Sequence, residues 1–130
     1  MTLALDTSIL IELERRNPII IKKMKEFSTL YPLPPYIPFI SYYEFLRGLK
    51  IKGLKDYEKK LAFLNKFNIL KTSKKTAEIL ADLRIKYDKL GITLSLADFL
   101  IVSQVIENNL ILVTLDKDFE TIEELDKIIF

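Results

Sequence analysis

Four acidic residues in this chain are placed where their carboxylates could take part in catalysis or bind a metal ion. Asp6 and Asp116 each follow an apolar run, and Glu44 and Asp98 each stand in the first turn of a segment with helical spacing. Acids gathered in one place repel one another and raise each other's pKa, so such a site is costly unless a hard divalent cation such as Mg²⁺ or Mn²⁺ neutralises it. The first hypothesis is therefore an acidic metal site, with Asp118 as a fifth acid nearby.

Each of these acids also has a structural explanation. Asp6 suits the N-cap of a helix, while Asp116 and Asp118 suit a turn. Glu44 and Asp98 each lie three residues after a serine, which is the spacing of a capping box. Capping is the favoured explanation for each acid taken singly. Their joint occurrence favours a shared site, because capping does not require an acid beside nearly every strand end.

The composition removes most other kinds of catalytic site. The chain has no histidine and no cysteine, so a Ser-His-Asp triad, thiol catalysis and ordinary zinc sites are excluded. Carboxylates, hydroxyls, lysines and arginines remain. Lysines and arginines cluster within 22–25, 47–55 and 71–75, and such clusters can hold phosphates near a separate acidic site, although a solvated helix surface also explains them.

Length and hydropathy indicate one domain over residues 1–130. Its 130 residues, 49% of them hydrophobic, suffice for one substantial core and not for two. No apolar run approaches the roughly 20 residues that span a bilayer. We expect a cytoplasmic protein without a membrane partner.

The elements that must position the acids follow from apolar spacing, caps and prolines. The continuous apolar run Leu3–Leu5 is typical of a strand covered on both faces of a parallel sheet. Strands and helices alternate along the chain, which predicts helices on both faces of a mostly parallel sheet of four to five strands. Because ligands bind beyond the carboxyl ends of such strands, the acids are expected at one edge of the sheet.

The expected elements have these bounds. Strands are predicted at Leu3–Leu5, Tyr36–Ile40, Asn68–Lys71, Leu110–Thr114 and Lys127–Phe130. Helices are predicted over 7–15, 18–28, from Ser41 to Gly53 with Ile51 facing inward, 55–67, from Thr72 or Ser73 to Gly91, from Ser95 through 99–106, and 119–125.

Four segments, taken together and in this order, resemble the acidic motifs of the PIN domain. They are Asp6-Thr7-Ser8, Tyr43-Glu44-Phe45-Leu46-Arg47-Gly48, Ala97-Asp98-Phe99-Leu100-Ile101 and Leu112-Val113-Thr114-Leu115-Asp116-Lys117-Asp118-Phe119. Their spacing matches across nearly the whole chain, and the compact size is most similar to VapC toxins of type II toxin–antitoxin systems. One departure is Leu115, where many relatives carry a polar residue.

The resemblance implies a three-layer α/β/α PIN-like domain that acts as a metal-dependent endoribonuclease. Mg²⁺ or Mn²⁺ would be held by Asp6, Glu44, Asp98 and Asp116, with Asp6 and Asp98 the favoured direct ligands, and either Asp116 or Asp118 the nearer of that pair. A VapB-like antitoxin and a second copy of the chain, in a homodimer, would be its protein partners.

Neighbouring polar residues would support the acidic set. Thr7, Ser8 and Thr114 could orient a carboxylate or the attacking water, and Asp118 would lie just outside the ligand set. Arg47, one helical turn beyond Glu44, could contact a substrate phosphate or form an ion pair with Glu44.

Two other hypotheses remain. One is a PIN fold that binds RNA or a protein without cutting. The other is a receiver-like or phosphoryl-transfer α/β domain, which also begins with a strand and an aspartate. The second is disfavoured because aspartate-nucleophile phosphatases carry another Asp two residues on, where this chain has Ser8.

Overall fold

A parallel sheet forms the middle layer of the computed structural model, which describes residues 1–53 and 55–130. The spatial order of its strands is β3-β2-β1-β4-β5, and every neighbouring pair is parallel. The first strand thus lies in the centre, as its continuous apolar run predicts. The strands are β1 (Leu3–Leu5), β2 (Tyr36–Ile37), β3 (Asn68–Ile69), β4 (Ile111–Thr114) and β5 (Lys127–Ile129).

Helices cover both faces of this sheet. Within the described residues they are α1 (Thr7–Glu14), α2 (Pro18–Leu30), α3 (Phe39–Lys52), α4 (Tyr57–Leu64), α5 (Lys74–Lys89) and α6 (Leu96–Glu107), with a 3₁₀ turn at Lys117–Thr121. Among the described residues, no helix is both long and apolar enough to cross a bilayer.

The core has two halves because side chains of a strand alternate between its faces. Ala4 and Leu112 lie in the half that includes residues of α5 and α6, such as Tyr87 and Phe99. Leu3, Leu5 and Val113 lie in the other half, with residues of α1 to α4. The predicted three-layer α/β/α architecture with a parallel sheet is confirmed.

Most predicted helix ends are confirmed by their caps. Asp6 caps α1, Ser73 caps α5 and Ser95 caps α6. Gly53 and Gly91, after α3 and α5, have φ angles of +59° and +70°, in the left-handed region that glycine enters without a Cβ clash.

The start of α3 differs from the prediction. The strand ends at Ile37 rather than Ile40, and α3 begins at Phe39 with Pro38 as its N-cap. Pro38 has φ −61° and ψ 151°, a backbone that proline adopts freely just before a helix. Ser41 therefore lies inside the first turn, and the predicted Ser41–Glu44 capping box is wrong.

Smaller differences concern element ends and one side chain. Ile51, predicted to face inward, is 66% exposed on α3. The helix predicted over 55–67 spans Tyr57–Leu64, and the last short helix is a 3₁₀ turn that begins at Lys117. The propensities of single residues set such ends weakly, so neighbouring packing shifts them by a few residues.

Candidate functional site

The carboxyl edge of the sheet brings Asp6 and Asp116 together. Asp6 directly follows β1, and Asp116 follows β4 after one intervening residue. These two strands are neighbours that run in the same direction. The backbone N–H of Asp6 donates to the Val113 carbonyl at 3.0 Å, which extends the strand pairing up to the acid itself.

Hydrogen bonds hold the Asp6 carboxylate in one orientation. It accepts from the Thr7 backbone N–H at 2.7 Å, from Thr114 Oγ1 at 2.8 Å and from Ser8 Oγ at 3.2 Å. Two of these donors, Thr7 and Ser8, follow β1, and the third, Thr114, is the last residue of β4. The carboxylate therefore lies on rigid elements and not on a loose loop.

The two hydroxyls that donate to Asp6 also accept from the loop after β4. Thr114 Oγ1 accepts from the Asp116 N–H at 3.0 Å, and Ser8 Oγ accepts from the Leu115 N–H at 3.1 Å. The position of Asp116 is thus coupled to that of Asp6 through Thr114. Because the backbone N–H of Leu115 makes this contact, the apolar side chain at that position does not interrupt the network.

Burial raises the pKa of Asp6 above its usual value of 3.8. Only 7% of the residue is exposed, so its charged form loses hydration. The hydrogen bonds from Thr114, Thr7 and Ser8 oppose this rise, while repulsion from Asp116 adds to it. The site therefore stabilises the charge of Asp6 incompletely.

Glu44 reaches the same edge from the second turn of α3. Its Oε1 accepts from Thr7 Oγ1 at 2.9 Å, so the residue after Asp6 contacts this second acid. The loss of hydration where its carboxyl meets the site raises the pKa of Glu44, and repulsion from Asp6 and Asp98 adds to the rise. The hydrogen bond from Thr7 partly opposes it.

Asp98 stands in the first turn of α6, where Ser95 Oγ accepts from its backbone N–H at 3.1 Å. Partial burial raises the pKa of Asp98, and repulsion from Asp116, Asp6 and Asp118, in that order, raises it further. The negative charges of the acids that follow β1 and β4 therefore act on the carboxyl group of Asp98.

Asp118 is the outermost acid of the group. It is exposed, and its backbone N–H donates to Asp116 Oδ1 at 2.9 Å, which makes Asp116 the cap of the 3₁₀ turn. Repulsion from Asp116 acts on both Asp6 and Asp98, whereas that from Asp118 acts on Asp98 and more weakly. Of the two, Asp116 has the larger electrostatic effect on the acidic group.

Comparison with known proteins agrees with this architecture. The sequence profile described as PIN domain matches residues 3–125, which is nearly the whole chain. The chain belongs to the PIN domain family. No curated protein sequence matches it significantly.

Solved structures similar to this PIN domain include toxin–antitoxin complexes. The chain covers 100% of its own length and 99% of a chain in VapBC2 from Rickettsia felis bound to a promoter DNA fragment, with a TM-score of 0.82 and 22% identity. For VapBC-1 from nontypeable Haemophilus influenzae the coverage is 99% and 98%, the TM-score 0.78 and the identity 23%. For a toxin–antitoxin complex from Klebsiella pneumoniae the coverage is 96% and 95%, the TM-score 0.74 and the identity 28%.

Within the described part of this PIN domain, the acids of the site form no ion pairs with basic side chains. Among the ion pairs of the described residues, none involves Asp6, Glu44, Asp98, Asp116 or Asp118. Acids that repel one another without a counter-ion form a donor set that suits a hard divalent cation.

The acids do not yet surround a single point. Within residues 1–53 and 55–130, no three acidic side chains are grouped closely enough to hold a metal ion as they stand. Glu44 and Asp118 are exposed and Asp98 is half-buried. The residue types and their charges fit a hard cation, and their spacing is wider than one ion needs.

Arg47 lies outside the acidic group. It is exposed beside Tyr43, Leu46 and Lys50 on the outer face of α3, and no ion pair joins it to Glu44, both residues being described. The alternative of an ion pair between Arg47 and Glu44 is wrong, because the two side chains line different surfaces of the helix.

A cavity adjoins the acidic group on the other side of Glu44. It has a volume of about 150 Å³ and lies between α1, α3 and α4. Ile11, Phe45 and Leu49 contribute apolar surface, and Lys52 and Lys60 contribute positive charge. Sequence patterns do not reveal this cavity, because its walls come from three helices whose packing no motif encodes.

Proposed function

We propose that this PIN domain is a Mg²⁺- or Mn²⁺-dependent endoribonuclease and the toxin of a VapBC-type toxin–antitoxin pair. The observation that carries the proposal is the Asp6 carboxylate. It is buried, accepts three hydrogen bonds and is repelled by a neighbouring acid, and no basic side chain among the described residues forms an ion pair with it. Such an arrangement is costly in a protein that uses no cation there.

In the proposal the acids bind the cation and the neighbouring hydroxyls orient them. Asp6, Asp98 and Asp116 would hold the cation, directly or through water, and Glu44 would join them. A bound divalent cation lowers the pKa of a coordinated water and stabilises negative charge on a phosphate. Thr114 and Ser8 would keep Asp6 oriented, since both donate to Oδ2 of its carboxylate.

Glu44 is the acid best suited to accept a proton from the attacking water. It is exposed, and its raised pKa moves it toward the range in which a carboxylate exchanges protons efficiently. Thr7, which donates to Glu44 Oε1, would orient it. Arg47 on the outer face of α3 would contact an RNA phosphate outside the acidic group.

Incubation of the purified protein with structured RNAs tests the proposed activity. Cleavage is expected with Mg²⁺ or Mn²⁺, and EDTA or an Asp6→Asn, Asp98→Asn double variant should abolish it. Ser28→Ala, a change on the exposed outer surface of α2, serves as a matched control that should cut like wild type. Equal cleavage by the double variant would refute the assignment.

A PIN domain that binds RNA or a protein without cutting is the second candidate. It is supported by the finding that no three described acids stand close enough to hold a cation. Thermal melting separates the two candidates, because a ligand that binds the folded state raises the melting temperature. If neither Mg²⁺ nor Mn²⁺ raises it for wild type, the metal-dependent candidate is refuted and the non-cutting candidate is favoured.

The proposal includes protein partners and a location. Similar solved structures are described as VapBC and FitAB complexes, some with bound DNA, and the cavity beside Glu44 could take part of a small VapB-like antitoxin. We propose further that the toxin forms a homodimer and acts in the cytoplasm, where RNA is available. Co-expression with the neighbouring reading frame, followed by size-exclusion chromatography, tests both partners.

A further inference from the structure

Gln104 is an amide in the middle of the most apolar helix, α6. The residue has no exposed surface, and both ends of its side chain form hydrogen bonds. Oε1 accepts from the backbone N–H of Phe39 at 3.0 Å, and Nε2 donates to the carbonyl of Leu70 at 3.1 Å. The amide orientation is unambiguous, because an N–H can only donate and a carbonyl can only accept.

Its first partner lies at the start of α3. Phe39 is the first residue of that helix, and the N-cap, Pro38, has no side chain that can accept a hydrogen bond. The first N–H groups of a helix need partners from outside the helix. Gln104 supplies one from another helix and so takes the place of the missing N-cap side chain.

Its second partner lies where the edge strand ends. Leu70 directly follows β3, and its backbone N–H donates to the Ile37 carbonyl at the end of β2 at 2.9 Å. Gln104 therefore joins three elements at the carboxyl edge of the sheet: the end of β3, the start of α3 and the middle of α6. This is the same edge that bears the acidic group.

The helices that Gln104 joins carry two of the acids. Asp98 lies six residues before Gln104 on α6, and Glu44 lies five residues after Phe39 on α3, so each acid is about 8–9 Å along its helix from the contact. The two helices also pack against each other. The hydrogen bond from the Phe39 N–H to Gln104 fixes where the start of α3 lies along α6.

We propose that Gln104 is a positioning residue, which sets the distance between Glu44 and Asp98 by capping α3 from α6. It does not touch the acids or a substrate. The inference rests on the proposed metal-dependent function, and it names a residue that no motif of the acidic group contains. The sequence signal that could reveal it is a single amide in a helix without a polar face.

Gln104→Met tests the inference, since methionine has a similar length and forms neither hydrogen bond. The measurement is the Mn²⁺ concentration that half-saturates the folded protein, read by isothermal titration calorimetry at a temperature well below the melting temperature of each variant. Residues that orient metal ligands from outside the ligand set typically alter affinity ten- to a hundred-fold, so we expect that concentration to rise about ten-fold. The expected result includes faster hydrogen exchange at the Phe39 amide.

Val105→Ala is the matched control, because Val105 is equally buried on α6 and its side chain forms no hydrogen bond to α3. It should lower the melting temperature and leave the half-saturating Mn²⁺ concentration unchanged. Gln104→Asn is a second variant in case Gln104→Met does not fold. Its amide is one methylene shorter and cannot span both partners, so the half-saturating concentration should rise as well.

The outcomes separate the two proposals. A wild type that does not respond to Mn²⁺ refutes the proposed function. If wild type responds and the Gln104 variants match its half-saturating concentration, the positioning role alone is overturned. An equal change in Val105→Ala also overturns it, because the effect would then be a general loss of stability.

Discussion

Replacement of Thr114 by valine should reveal how the site stabilises the charge of Asp6. Valine has nearly the shape of threonine, so the change removes a hydroxyl from a residue with no exposed surface and leaves little cavity. The lost hydroxyl donates to Asp6 Oδ2 at 2.8 Å and accepts from the Asp116 N–H at 3.0 Å. Both contacts disappear together.

The size of the effect follows from these two contacts. A hydrogen bond to a charged group contributes about 1.5–3 kcal/mol, and an unpaired N–H in a partly buried loop costs about 1 kcal/mol at the low end of its range. The free energy of unfolding should fall by about 3 kcal/mol at neutral pH. Since 1.4 kcal/mol is a factor of ten, the folding equilibrium constant should fall roughly a hundred-fold.

The cost must depend on pH if this reasoning is correct. In wild type the Thr114 hydrogen bond lowers the pKa of Asp6 against the larger effect of burial, so its loss raises that pKa further. Below the pKa of Asp6 the carboxyl is neutral, and the lost bond is an ordinary one of about 0.5–1.5 kcal/mol. The destabilisation by Thr114→Val should therefore grow as pH rises through the pKa of Asp6.

Urea denaturation in EDTA from pH 4 to pH 8 measures this dependence. Thr76→Val is a matched control, because the buried Thr76 hydroxyl also donates to a carboxylate, that of Glu107, and accepts from a backbone N–H, that of Ser73. It should cost a similar free energy and leave the response to Mn²⁺ unchanged. A cost of Thr114→Val that stays constant with pH, or that keeps its pH dependence in an Asp6→Asn background, would refute the reasoning.

Three further predictions concern the raised pKa values of the acids and the repulsion between them. Because the pKa values of Asp6, Glu44 and Asp98 are raised above 3.8, 4.5 and 3.8, the metal-free folded state binds more protons than the unfolded state between the ordinary and the raised values. Its free energy of unfolding should thus fall as pH increases through that interval, and calorimetry in EDTA that finds a rise contradicts this. Asp98→Asn should raise the melting temperature of the metal-free protein and weaken the response to Mn²⁺, which differential scanning calorimetry measures; a lower melting temperature would argue against mutual repulsion. Thr7→Val removes the donor to Glu44 Oε1 and should raise the pKa of Glu44 further, which a carboxyl NMR titration detects, with an unchanged titration as the contrary result.

Local signals in the sequence predict much of this fold. Helix caps and left-handed glycines act over a few residues, so they can be recognised from the sequence alone. Examples are Ser73, Ser95 and Gly53. The start of α3 was mispredicted because two local signals compete there. Pro38 and Ser41 both suit a helix start, and the hydrogen bond from the Phe39 N–H to Gln104 joins residues 65 positions apart, which no local signal encodes.

The candidate site was also predictable from the sequence only in part. The acids could be chosen from the sequence because carboxylates after apolar strands are a local pattern, and parallel strands predict one shared edge. The sequence does not show which hydroxyl donates a hydrogen bond to which acid. Thr114 and Asp6 are 108 positions apart, and their contact exists because β4 lies beside β1 in the sheet.

The sequence by itself determined which chemistry is excluded: without histidine or cysteine, the residues left for catalysis are carboxylates, hydroxyls, lysines and arginines. It also determined the order of strands and helices, since hydrophobic periodicity and capping act between near neighbours. The tertiary structure alone decided which groups meet, namely that Thr7 contacts Glu44, that Thr114 joins Asp6 to Asp116, and that Arg47 lies apart from Glu44. The physical reason is that hydrogen bonds and charge repulsion act over a few ångströms in space, and the packing of α1, α3 and α6 on the sheet sets those distances.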